Sequence, residues 1–252
     1  MAGRTAVDFD HWPYPEWVAH RGAGKLAPEN TLAAFRLGAR HGYRMFECDV
    51  KLSADSVPFL LHDDSLDRTT DGTGMGGVRP WSELSGLDAG RWHSPAFAGE
   101  RIPRFEDVAE WALENSLLLD VEIKPSPGAE VETGRAVADA CAALWQDEAV
   151  PPLLTSFKAS ALESARASVA WLPRGLLVGE LRGDWLATAQ ELGCVAIILK
   201  HTLVDSPLVR QVHAARLRIG VYTPNDRSDV ARVQAAGVDM VVTDAIDVHP
   251  AA

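Results

Sequence analysis

The chain has 252 residues, with 24 Lys and Arg against 35 Asp and Glu, a formal net charge of −11, 47% apolar residues and 23% charged ones. That is an ordinary globular composition, and ~250 residues accommodate an α/β barrel as one domain. The acidic balance without a Lys/Arg block excludes nucleic acid, which demands a basic face, and the longest apolar runs (140–145 and 194–199, six residues each) fall far short of the ~18 that span a bilayer.

The leader, residues 1–17, carries Asp8, Asp10, His11 and Glu16 and lacks the apolar stretch of a secretory signal. Residues 17–19 read as a strand ending at the loop His20-Arg21-Gly22. Pro28-Glu29-Asn30-Thr31 then starts a helix, with Asn30 or Thr31 as its cap, Leu32, Phe35 and Ala39 at helical spacing, and Gly42 as its stop. Residues 45–50 form a second strand, and from 117 onward the pattern alternates. Strands at 117–123, 153–157, 175–178, 195–199, 218–222 and 240–243 are separated by helices at 129–146, 158–170, 184–192, 207–215 and 228–236. Strands alternating with helices of this length pair in parallel through crossovers. Cys48, Cys141 and Cys194 are too few and too scattered for a disulfide framework or a metal spacing. The expectation is a reduced, cytoplasmic protein.

Two segments break the rhythm. Residues 57–62 follow the second strand after only six residues, 51–56. A parallel crossover needs about a dozen, so 57–62 returns antiparallel as a hairpin and delivers His62 to the rim where the second strand ends. Without it the parallel strands number eight, which predicts a closed (β/α)8 TIM barrel over residues 1–252. Residues 65–104, rich in Gly, Asp, Thr and Trp, occupy the place of a single loop. They are too long for one and read as a small insertion covering the mouth of the barrel.

The active site of such a barrel lies at the C-terminal ends of its strands. Gathered there are His20 and Arg21, then Glu47 and Asp49, then His62, and finally Asp120, Glu122 and Lys124. Residues i and i+2 of a strand share a face, so Glu47 sits with Asp49 and Glu122 with Lys124. Carboxylates crowded on one rim repel one another unless a cation lies between them, and all-oxygen ligation selects Mg²⁺ or Ca²⁺ over zinc. Two histidines flanking that ion suit a general acid and a general base, and Arg21 with Lys124 suits an anionic phosphate. Taken singly these residues have blander readings: a Glu on a barrel strand commonly pairs with a base, which Lys124 supplies beside Glu122, and a lone His is commonly structural. Taken together, three buried acids and two histidines are an expensive way to stabilise a barrel, and the functional reading wins. Asp120 is read as structural, Asp63 and Asp64 as caps of the turn after the hairpin, with Asp63 alternatively orienting His62. His11, His41, His93, His201, His213 and His249 are read as lacking carboxylate company and receive no role. Cys48, between two proposed ligands, points to the opposite face and packs against a helix.

These residues, in this order, resemble the glycerophosphodiester phosphodiesterase family, and its cytosolic bacterial members most. The resemblance rests on His20-Arg21-Gly22, Pro28-Glu29-Asn30-Thr31, Glu47-Cys48-Asp49-Val50, His62-Asp63 and Glu122-Ile123-Lys124. Leu66-Asp67-Arg68-Thr69-Thr70 with Gly72-Thr73-Gly74, Tyr222-Thr223-Pro224-Asn225 and Val242-Thr243-Asp244 extend it over nearly the whole chain. The resemblance implies hydrolysis of deacylated phospholipids such as glycerophosphocholine or glycerophosphoethanolamine to sn-glycerol 3-phosphate and an alcohol. It implies one divalent cation, Mg²⁺ or Ca²⁺, on Glu47, Asp49 and Glu122, acid/base work by His20 and His62, and phosphate held by Arg21 and Lys124. Tyr222 and Pro224 depart from the Trp and small apolar residue of many members, so Tyr222 shapes the glycerol or alcohol pocket in its own way. No Ser or Cys stands beside the histidines as a nucleophile, which favours the glycerol 2-hydroxyl and a cyclic phosphate. The rival reading is a lysophospholipase D or phosphoinositide-cleaving lipase on intact lipid. It needs an apolar rim, whereas the 65–104 segment mixes Trp81, Trp92 and Phe97 with Asp67, Asp71, Glu83, Asp88 and Glu100. A non-catalytic phosphate-binding barrel is disfavoured because every member of the set is present. The expected partner is a small-molecule phosphodiester, without stable membrane association, and the barrel's helices leave a homo-oligomer open.

Overall fold

The computed structural model describes residues 7–251, so the first six residues of the leader lie outside it. Eight strands close a parallel barrel: β1 (Trp17–Ala19), β2 (Met45–Leu52), β4 (Leu118–Ile123), β5 (Leu153–Ser156), β6 (Arg174–Val178), β7 (Ala196–Lys200), β8 (Arg218–Tyr222) and β9 (Met240–Thr243). β1 bonds both β9 and β2, which completes the ring. The short β3 (Pro58–Leu60) lies antiparallel on the C-terminal extension of β2, pairing Val50 with Leu60 and Leu52 with Pro58. The expected hairpin therefore forms, outside the eight. The helices α1 (Leu32–Arg40), α4 (Glu130–Leu144), α5 (Ala159–Ser168), α6 (Trp185–Glu191), α7 (Ser206–Ala214) and α8 (Arg227–Ala236) fall between strands as the alternation requires.

One crossover helix escapes the sequence reading. α3 (Phe105–Glu114) separates the 65–104 segment from β4 and buries Phe105, Val108, Ala109 and Ala112. That is an i, i+3, i+4, i+7 stripe, and Asp107 accepts from the backbone N–H of Arg104 to cap the start. The signal is present in the sequence but abuts the irregular segment. Within that segment a short helix, α2 (Trp81–Leu84), two 3₁₀ turns (Gly76–Val78 and Pro95–Phe97) and isolated bridges form. Leu66, Leu84, Ala89 and Ile102 bury themselves against Phe59 and Leu61 of the hairpin, a separate small core beside the barrel.

Inside the barrel, chemistry is graded along each strand. Alternate residues point inward, and register pairs Met45 with Leu118, Glu47 with Asp120, and Asp49 with Glu122. The N-terminal layers are apolar, built from Val18, Met45, Leu153, Leu177, Ala196, Ile198, Met240 and Val242, with Tyr14 among them. The Tyr14 hydroxyl donates to the Pro151 carbonyl at 3.0 Å. The charged layers are therefore confined to the C-terminal mouth. Cys48, on the outward phase of β2, is buried in the core shared by strands and helices, as its position predicts.

The loop after β1 folds back onto the end of β9. Gly24 has φ +54°, and a Cβ there would lie 2.1 Å from the carbonyl oxygen of Asp244. Gly24→Ala combines a left-handed backbone with a backbone clash, so we expect destabilisation of ~2 kcal/mol or more in chemical unfolding. Activity is expected to fall beyond what the unfolded fraction explains, because the clash displaces a residue of the site described next.

Candidate active site

Glu47 and Asp49 on β2 and Glu122 on β4 each offer an oxygen, all within 4.8 Å of one another, and all three side chains are buried. Glu47 Oε1 has no hydrogen-bond partner, and Asp49 Oδ1 has only an ion pair with Lys124 Nζ at 3.3 Å. A buried polar atom left so costs roughly 1–3 kcal/mol, and more when charged. Burial, followed by repulsion from Asp49 and Glu122, pushes the Glu47 carboxyl well above the usual carboxylate range. Burial and the charge of Asp49 push Glu122 up to about 7. Burial acts upward on Asp49 too, but the cations of Arg21 and Lys124 outweigh it and hold that carboxyl well below its ordinary value. An orphaned oxygen and mutually repelling carboxyls are what a cation would relieve, and an all-oxygen donor set suits a hard divalent ion. The triad can hold a metal.

Neighbouring groups fix the triad in place. The Arg21 backbone N–H donates to Glu47 Oε2 at 3.0 Å. Asn30 donates from Nδ2 to Asp49 Oδ2 at 2.9 Å and accepts the Asp49 backbone N–H at 3.2 Å. Asn30 adopts φ +58° to make these bonds. The helix cap, which the sequence leaves open between two residues, is Thr31, whose hydroxyl accepts from the Ala34 N–H at 3.3 Å.

Two histidines face this cluster, and each is backed by a carboxylate. His20 Nδ1 lies 2.6 Å from Asp244 Oδ1, while its Nε2 is 3.8 Å from Glu47 Oε2. His62 Nδ1 lies 2.7 Å from Asp63 Oδ1. An ionised carboxylate only accepts, so Nδ1 carries the proton in both rings and Nε2 is left for chemistry. Asp244 is buried, which acts upward, yet its bonds to His20 and Asn225 hold it down at about 2. Burial, aided by Arg21 and Lys124, lowers the His62 pKa and favours its neutral form.

The cluster opens into a cavity of about 270 Å³. His20, Arg21, His62 and Lys124 line its polar side, and Leu177, Ile198 and Val242 its floor. Phe157 and Tyr222 meet edge to face at 5.7 Å on the wall. No Ser or Cys lines it.

Comparison with known proteins agrees with this geometry. The profile of the Glycerophosphoryl diester phosphodiesterase family matches residues 20–248. The chain belongs to that family. A glycerophosphodiester phosphodiesterase of Caldanaerobacter subterraneus subsp. tengcongensis is 30% identical, the match spanning 90% of this chain and 93% of that one. A solved Oleispira antarctica phosphodiesterase, in complex with the product sn-glycerol-3-phosphate, is 34% identical and superposes with a TM-score of 0.85, covering 92% of this chain and 93% of that one. A glycerophosphodiester phosphodiesterase structure from Agrobacterium tumefaciens shares 26% identity at a TM-score of 0.78, over 95% of this chain and all of that one. This chain is thus an enzyme of glycerophosphodiester hydrolysis on a (β/α)8 barrel. Among its described residues no helix is long and apolar enough to cross a membrane.

All eight residues singled out in the sequence meet at one mouth. Arg21 and Lys124 are not bare cations there. Arg21 pairs with Glu29 at 2.8 Å and Asp49 at 3.2 Å, and Lys124 with Glu122 at 2.9 Å and Asp49 at 3.3 Å. The bland reading of Lys124 as an ion-pair partner is thus also true. The reading of the remaining histidines needs correction: His213 lies 2.8 Å from Asp239, His201 3.7 Å from Asp229 and His11 3.4 Å from Asp8. Asp229, on α8, and Asp239, in the turn before β9, sit on other parts of the chain, which periodicity does not bring together, whereas Asp8 lies only three residues before His11 and is a local contact. Asp120 keeps its structural reading: it accepts from the Thr155 hydroxyl at 2.7 Å, and burial pushes it up to about 7. Sequence reasoning missed the roles of Glu29, Asn30, Asp244 and Asn225, though all four lie in motifs it quotes.

Proposed function

We propose that this enzyme releases sn-glycerol 3-phosphate and an alcohol from glycerophosphodiesters with one divalent cation, Mg²⁺ or Ca²⁺, held by Glu47, Asp49 and Glu122, and with His20 and His62 as the acid/base pair. The observation that carries it is the pairing of a buried, crowded carboxylate triad, in which Glu47 Oε1 has no partner, with two carboxylate-backed histidines at one cavity. When bound, the cation would supply Lewis-acid stabilisation of charge developing on the phosphoryl oxygens. Arg21 and Lys124, already fixed by their acidic partners, would bind the phosphodiester anion and orient it against both histidines. His62, favoured as the neutral imidazole, takes a proton from the attacking hydroxyl at Nε2. His20, acting as the imidazolium with its Nδ1–H held by Asp244, delivers its Nε2 proton to the departing alkoxide. Phe157, Tyr222 and the apolar floor exclude water and pack the carbon skeleton of the glycerol. No Ser or Cys lines the cavity, which supports attack by the glycerol 2-hydroxyl through a cyclic phosphate. A cytoplasmic setting belongs to the same proposal, supported by three free, buried cysteines.

The test is release of glycerol 3-phosphate from glycerophosphocholine by purified enzyme. The expected result is loss of release in EDTA, recovery with Mg²⁺ or Ca²⁺, and turnover of authentic cyclic glycerophosphate. Failure on the cyclic compound alone would replace the internal attack by direct hydrolysis. Cleavage of lysophosphatidylcholine with none of glycerophosphocholine would transfer the enzyme to the lipid-cleaving reading.

A further inference from the structure

Arg68 lies in the segment that follows β3, outside the cavity lining, yet its guanidinium meets the two carboxylates that pair with His62 and Arg21. Nε donates to Asp63 Oδ2 at 2.7 Å and Nη2 to Asp63 Oδ1 at 3.0 Å. The other edge of the fork grips Glu29, with Nη1 to Oε2 at 2.7 Å and Nη2 to Oε1 at 2.8 Å. Asp63 is the partner of His62 Nδ1, and Glu29 is the partner of Arg21 Nη1. A continuous chain thus runs His62–Asp63–Arg68–Glu29–Arg21, and Arg21 closes it onto Asp49 at 3.2 Å.

We propose that Arg68 is a positioning residue that sets the plane of Asp63, and through it the ring orientation and tautomer of His62. It never touches the substrate. Two bidentate contacts fix a carboxylate in plane as well as in place, and only a planar fork can make both at once. Asp63 and Arg68 are partly exposed, with side chains 30% and 43% accessible, so without the clamp the Asp63 carboxylate is free to turn toward water. The stability at stake in so exposed an ion pair is small. What the clamp supplies is direction, the service that outer-shell groups perform for the residues they orient. It also ties the 65–104 segment to both sides of the site, an explanation for a charged anchor at that position that packing alone does not offer.

The inference rests on the proposed role of His62, and the experiment separates the two. We would measure kcat and KM on glycerophosphocholine with Mg²⁺ for Arg68→Gln, Arg68→Lys, Asp63→Asn and His62→Ala, and for the double variant R68Q/H62A. The expected result is a fall in kcat of ~10–100-fold in Arg68→Gln and Asp63→Asn, with unfolding midpoints close to wild type. Arg68→Lys fails to rescue, since a point charge cannot hold two carboxylates. The R68Q/H62A double variant is no slower than His62→Ala alone, because the effect passes through that ring. In ¹⁵N imidazole spectra, Arg68→Gln should lose the single Nδ1–H tautomer of His62. Arg68→Gln with wild-type kcat, rescue by lysine, additivity with His62→Ala, or an unchanged tautomer would each overturn the proposal. Wild-type activity in His62→Ala would instead remove the role of His62, and the proposal with it. Asp63→Asn, nearly isosteric, keeps the test open if Arg68→Gln does not fold.

Discussion

His20→Ala and His62→Ala are each expected to lower kcat ~10²–10⁴-fold, the range of a lost general acid or base. Each ring presents one nitrogen to the cluster and commits the other to a carboxylate, His20 to Asp244 and His62 to Asp63. Removing either ring leaves the phosphate cradle of Arg21 and Lys124 and the carboxylate triad in place. The loss should therefore fall on kcat, with KM changing little. Steady-state kinetics decide it. A KM effect without a kcat effect would make the histidines binding residues, and near-wild-type kcat in either variant would remove it from the acid/base pair.

Glu47→Gln should raise the stability of the metal-free protein while lowering divalent-dependent activity at least ~10²-fold, a scale that even outer-shell changes at metal sites reach. The opposite signs share one cause. Burial, Asp49 and Glu122 all disfavour the Glu47 charge, so the neutral amide removes a repulsion from the metal-free fold. It still offers an oxygen to the Arg21 N–H. The gain of ~1 kcal/mol or more corresponds to roughly 2–4 °C in Tm for a chain of this size. Thermal unfolding in EDTA checks the first half and metal-titrated kinetics the second. A lower Tm in EDTA would mean that the triad supports the fold without a cation.

The same groups set a pH dependence. Glu122 and Asp120 are raised to about 7 by burial, from ordinary values of 4.5 and 3.8. Between those values and about 7 the unfolded chain releases protons that the folded chain retains, so metal-free stability falls as pH rises through that window. His62, whose folded pKa is lowered, acts oppositely: its contribution is present above 6.5 and lost as pH falls below it. Glu47 is raised as well and burial also lowers His201, so three raised carboxyls outweigh two lowered imidazoles, and the metal-free protein should unfold at lower temperature at pH 7.5 than at pH 5.5. Asp49 and Asp244, both held low, change state only at more acid pH. Added Mg²⁺ should shrink the difference, because a bound cation stabilises the ionised forms.

Much of this was legible because barrel geometry is a local rule repeated. Alternation put Glu47 with Asp49 and Glu122 with Lys124 on inward phases, and the six residues between the strands read at 45–50 and 57–62 allowed only a hairpin, which brought His62 to the rim. Spacing along one strand or across one turn needs no knowledge of distant chain. α3 shows how an irregular neighbour hides such a signal: its stripe was present, but it followed forty residues without a period.

By itself the sequence determined the repeating βα units apart from α3, the inward phase of β2 and β4 and the chemical type of each rim residue, because these depend on separations of a few residues. Only the tertiary structure decided which charges meet. Asp244 reaches His20 across 224 positions, Thr155 reaches Asp120 across 35, and Arg68 reaches Glu29 across 39. Ring closure between β1 and β9, the pairing of β4 with β5 and the docking of the 65–104 segment create those contacts, and no periodicity within the chain encodes which partner a buried charge will find.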